Sequence, residues 1–109
     1  MCGVVGIIST HKPVAGDLYE SLIHLQHRGQ DAAGIMTYNQ RFHIKKGTGL
    51  IRDVFDENNM ARLLGNVGIG HTRYPTVGGF SIEEAQPVMT NVPYGIAMAH
   101  NGNLVNYAE

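Results

Sequence analysis

The stretch CGVVGIIS, residues 2–9, constrains the chain most. It is short, uncharged and rich in β-branched side chains, so it predicts a buried strand and not an amphipathic helix. It also puts the chain's one cysteine at the tip of that strand, directly after Met1. Chain ends fray, and a thiol at position 2 is therefore a poor packing choice. A thiol that becomes the first residue has a different use.

Residues 13–26 carry Val14, Leu18, Leu22 and Leu25 at helical spacing, with Pro13 suited to a first turn, and the HRGQDAAG segment then ends the helix. Two strands over 34–38 and 42–46 flank the polar turn NQR and predict a hairpin, followed by a GTGL loop. A helix is expected over 53–64, with Asp53 as its N-cap and Gly65 just past its end. NVGIGHTRY, VMTNV and YGIAMAH read as further strands, and Asn101-Gly102 as a tight turn. Residues 75–87, framed by prolines and holding Gly78-Gly79, read as a surface loop able to move. The last seven residues start like a helix and stop after about two turns, so truncation is expected there.

One domain fits in 109 residues, and no repeat or linker divides it. Eight Lys and Arg against nine Asp and Glu, with no block of like charge, leave no electrostatic footprint for nucleic acid or an anionic membrane. No apolar run approaches the roughly 20 residues that span a bilayer. A single cysteine cannot form an internal disulfide, and the opening residues lack the pattern of a secretory signal, so a cytoplasmic location is expected. The six histidines show no ligand spacing, so no metal is expected in this chain, and GNVGIG is not a phosphate-binding G-x-G-x-x-G.

Four places are suited to chemistry. With Met1 removed, Cys2 carries a thiol and a free α-amine that titrate within about one pH unit of each other, so the amine can take the thiol's proton. The alternative is a small packed hydrophobe. In HNG at 100–102, the Asn101 side chain and the Gly102 N–H can stabilise an oxyanion, although an ordinary hairpin turn has the same sequence. In GHTRYPT at 70–76, Arg73 can hold a carboxylate in bidentate geometry or be a solvated arginine. Arg28 and Gly29 can line a pocket or simply turn the chain.

Taken in order, MCGVVGI, LQHRGQDAAGI, GHTRYPT, EAQP and AHNGNL resemble the N-terminal glutaminase domain of class II glutamine amidotransferases. The resemblance covers essentially the whole chain. HRGQDAAG and HTRYPT favour the branch acting on phosphoribosyl pyrophosphate over the sugar-phosphate branch, whose patterns read YRGYDSAG and HTRWAT. The family implies an α+β N-terminal-nucleophile hydrolase fold, a four-layer αββα sandwich of antiparallel sheets, of which residues 1–109 form an N-terminal portion. It also implies that Cys2 attacks the side-chain amide of glutamine and forms a γ-glutamyl thioester. Asn101 and Gly102 then match the oxyanion hole, Arg73 the grip on the substrate α-carboxylate, and Arg28, Gly29, Tyr74 and Thr76 the pocket and its closing loop.

The family's acidic residue for the substrate α-amine and its entire phosphoribosyltransferase half, with Mg²⁺, are expected outside these 109 residues. A full-length homo-oligomer is expected, with glutamine as the ligand of this portion and no cofactor in it. Two other readings stay open on the residues: a silent fragment or interaction module, and a glutaminase serving another acceptor such as a hexose phosphate.

Overall fold

The computed structural model describes residues 3–26, 31–73, 85–90 and 95–99. In chain order the elements are β1 (Gly3–Ile8), α1 (Ala15–Leu25), β2 (Ala32–Tyr38), β3 (Phe42–Thr48), α2 (Ile51–Val54), α3 (Glu57–Arg62), β4 (Val67–Arg73), β5 (Val88–Thr90) and β6 (Ile96–Met98). The first four strands to pair form one antiparallel sheet in the order β1-β4-β2-β3, and β5 and β6 form a separate two-stranded ribbon. The latest strand of the larger sheet, β4, therefore lies between β1 and β2.

Glycines in β4 explain how α1 reaches this sheet. A Cβ on Gly68 would lie 2.8 Å from Leu18 Cδ1, and one on Gly70 would lie 3.2 Å from Leu22 Cδ1. The helix's leucines occupy the space those side chains would take, and both are fully buried. Val14, Ala33, Ile35, Ile51, Val54, Phe55 and Leu63 complete the core, with the Tyr19 ring edge-on to Phe55. Hydrophobic burial on this face supplies most of the driving force for helix docking, since no side chain caps α1.

The opposite face of the same sheet bears Val4, Ile8, Tyr38 and Ile44, all exposed, with Ile8 at 80%. An apolar face of this kind suits a sheet that stacks on a second sheet.

Several local expectations change. The helix expected over 53–64 is two short helices, and its cap is Asp56, not Asp53: Asp56 Oδ1 accepts from the Asn59 N–H at 2.8 Å. Phe55 adopts extended backbone between the two helices and turns into the core, while the Asp56 carboxylate nucleates a new first turn. The first of these helices starts at Ile51, whose N–H donates to Gln26 Oε1 at 2.9 Å, a partner 25 residues away that local patterning does not reveal. Strand β3 continues through Thr48, which shortens the expected GTGL loop, and β2 begins at Ala32. The expected turn at Asn101-Gly102, the closing helix and most of the 75–87 loop lie outside the described residues; 85–87 lie within them.

Candidate active site at one end of the sheet

Three chain segments meet at one end of adjacent strands. Gly3, the residue after Cys2, pairs with Thr72 on β4. Ala32, at the start of β2, pairs with Arg73, the last residue of β4. The Asp31 N–H donates to the Arg73 carbonyl at 2.9 Å, and the Asp31 carbonyl accepts from the Gly49 N–H at 2.9 Å, so the entry to β2 is held on both sides. Arg73 itself is half-buried. Of the residues expected to carry chemistry, Arg73 is described and is the last residue of β4; Cys2, Arg28, Gly29, Tyr74, Thr76, Asn101 and Gly102 lie outside the described residues.

The motif GHTR places two fully buried polar residues beside this arginine, His71 and Thr72. Thr72 Oγ1 has no hydrogen-bond partner among the described residues, and a Cβ on Gly3 would lie 2.8 Å from it. Glycine at position 3 thus lets β1 pair closely with β4 under Leu25, whose Cβ would be 3.1 Å from the same point.

Sequence reading did not single out the support on the other face. Residues 85–87 cross the sheet over Gly34, where a Cβ would run into the Gln86 carbonyl and come within 2.9 Å of Pro87 Cδ. Lys46, opposite Gly34 on β3, donates from Nζ to the carbonyls of Ala85 at 3.0 Å and Pro87 at 3.3 Å. EAQP and the glycine of HRGQDAAG were visible as motifs, but nothing in the sequence joined them to Lys46.

A groove lined by Gly16, Tyr19, Phe55, Asp56 and Met60 sits toward the other end of α1. Tyr19 is six residues, about 9 Å along the helix axis, from the Leu25 that packs near Gly3. It has no part in the strand-end arrangement. Among the described residues no group of three or more His, Cys, Asp or Glu is placed to hold a metal ion, and no helix is long and apolar enough to cross a membrane.

No family model matches the chain. Among individual proteins, the amidophosphoribosyltransferase of Escherichia coli K12 is 56% identical over all of this chain and 22% of its own length. That of Pasteurella multocida is 55% identical with the same coverage, and that of Saccharomyces cerevisiae 53%. Glutamine phosphoribosylpyrophosphate amidotransferase from B. subtilis, complexed with ADP and GMP, superposes with a TM-score of 0.82 at 37% identity, covering 99% of this chain and 23% of that one. A structure described as the allosteric regulatory enzyme of purine biosynthesis gives 0.85 at 39% identity, with the same coverage. The chain spans about a fifth of the length of these relatives.

These neighbours have the N-terminal-nucleophile hydrolase fold. The described residues supply a helical layer, the sheet beneath it and a two-stranded ribbon, a part of the expected αββα sandwich. In sequence and in fold, the chain is similar to one part of these amidophosphoribosyltransferases, the N-terminal glutamine domain.

Proposed function

We propose that residues 1–109 form the N-terminal portion of a glutamine-hydrolysing domain that supplies ammonia for making phosphoribosylamine from phosphoribosyl pyrophosphate, in de novo purine synthesis. The observation that carries this reading is the convergence of β1, β2 and β4 at one sheet end. It brings the residue after Cys2 and the start of the HRGQDAAG strand alongside Arg73. Three sequence blocks far apart in the chain thereby meet at one sheet end, and residues 85–87 of a fourth cross the sheet one row away.

In this reading the Cys2 α-amine takes the thiol proton, and Sγ attacks the side-chain amide carbon of glutamine. Asn101 and Gly102 stabilise the oxyanion of the tetrahedral intermediate. The intermediate collapses with the proton passed to the leaving nitrogen, so ammonia departs and a γ-glutamyl thioester remains. Water then cleaves the thioester, releasing glutamate and restoring the thiol. Arg73 grips the substrate α-carboxylate as a bidentate fork, and Arg28, Gly29, Tyr74 and Thr76 line the pocket. Phosphoribosyl transfer, with its Mg²⁺, is assigned to a region outside residues 1–109. The working protein is assigned to the cytoplasm as a homo-oligomer.

The test is the intact mass of the purified protein before and after treatment with a diazoketone that mimics glutamine and alkylates such nucleophiles. Loss of Met1 with one adduct, absent in Cys2→Ala, is the expected result. A mature chain that keeps Met1 overturns the mechanism, because an acylated amine is no base. A processed chain that takes no adduct instead marks a silent fragment.

A further inference from the structure

We propose that Lys46 is a positioning residue for the glutamine site: its ammonium ties residues 85–87 to the sheet beside Arg73. This rests on the function proposed above. The register of the sheet puts Lys46, Gly34 and His71 in one row across β3, β2 and β4, and Thr48, Ala32 and Arg73 in the next. Residues directly paired across antiparallel strands share a face, and alternate rows on one face are about 7 Å apart. The crossing at Gly34 is therefore one row from Arg73, on the same face of the sheet.

Two features hold the crossing there. Gly34 removes the side chain that would collide with the Gln86 carbonyl, and Ala85 and Pro87 are buried as a result. Lys46 then supplies charged donors to the carbonyls on either side of Gln86. Among the described residues it makes no ion pair, so these two carbonyls are the partners that orient its ammonium. A lysine fits because one nitrogen on a flexible stem can donate in two directions. His71, in the same row, is fully buried.

Removing the ammonium leaves the glycine gap intact but frees the crossing to shift relative to Arg73. Substrate binding should weaken while the attacking thiol is untouched. That separates a positioning role from a catalytic one.

The experiment compares wild type, Lys46→Met and Lys46→Arg in the full-length protein. The Met variant keeps the stem and removes the donors; the Arg variant keeps donors. In Lys46→Met the KM for glutamine should rise about 5- to 20-fold with kcat within about two-fold, and Lys46→Arg should recover most of the KM. Amide exchange in a peptide covering 85–90 should quicken about ten-fold in Lys46→Met and stay unchanged in β1 and β4. An unchanged KM, a fall in kcat alone, or unchanged exchange at 85–90 overturns the proposal. So does loss of cooperative unfolding in Lys46→Met, which would make Lys46 a general structural residue. Wild-type protein that hydrolyses no glutamine overturns the function and the positioning role together, whereas active wild type with a normal Met variant overturns the positioning role alone.

Discussion

Replacing Gly34 by alanine puts a methyl group where the Gln86 carbonyl already sits, so the crossing at 85–87 must lift off the sheet. Ordinary carbon–oxygen contact then requires a movement on the order of 1 Å or more. Such a shift takes the Ala85 and Pro87 carbonyls out of reach of Lys46, whose bonds to them are already 3.0 and 3.3 Å long. Each charge-assisted bond contributes about 1.5 kcal/mol at a half-exposed lysine. Partial exposure of Ala85 and Pro87 adds about 1–2 kcal/mol. Against this, alanine lowers the entropy of the unfolded chain, which returns about 0.5–1 kcal/mol. The net loss is about 3–4.5 kcal/mol, or roughly 13–20 °C in Tm at an unfolding entropy of about 2.1 cal/mol/K per residue.

Gly6→Ala is the matched control, because its added Cβ meets Ile69 Cγ2 at 3.7 Å and the Gly68 carbonyl at 3.9 Å, both ordinary contacts. Urea unfolding followed by circular dichroism gives both free energies with one assay. Gly34→Ala within about 1 kcal/mol of Gly6→Ala would refute the reasoning, since it would mean that the crossing tolerates displacement.

Three further outcomes are expected. Asp56→Ala should cost about 1 kcal/mol in urea unfolding and Asp53→Ala much less, because Asp56 is the residue that caps a helix. Thr72→Val should be neutral or stabilising by up to about 1 kcal/mol in the same assay, since the buried hydroxyl gives up no hydrogen bond among the described residues; a clear loss would reveal a partner for it. Arg73→Lys should raise the glutamine KM about ten-fold or more in steady-state kinetics, because an ammonium cannot reproduce a bidentate fork; an unchanged KM would remove Arg73 from the carboxylate site.

The strands and the first helix were legible because their signals are local. The leucine spacing marks the buried face of α1 at Leu18 and Leu22, whereas the β-branched run of β1 gives a strand but not the buried one expected: its residues alternate between half-buried and exposed, because only one face of the strand meets α1. The split of the second helix was not legible from spacing, because it depends on Phe55 finding the core and on Asp56 capping the turn after it. Arg73 was marked by its motif and does end a strand, whereas its setting came from pairing with a strand 41 positions earlier.

By itself, the sequence determined the element types, the glycines that permit close approach, and the residue types suited to amide hydrolysis. Only the tertiary structure decided that β4 inserts between β1 and β2, which makes neighbours of residues 41 apart at Ala32–Arg73 and 69 apart at Gly3–Thr72. It also decided that Lys46 meets residues 85–87 across Gly34. The physical reason is that a side chain's periodicity reports which face it takes, but the identity of what covers that face is set by strand order and register, which are properties of the whole packed chain.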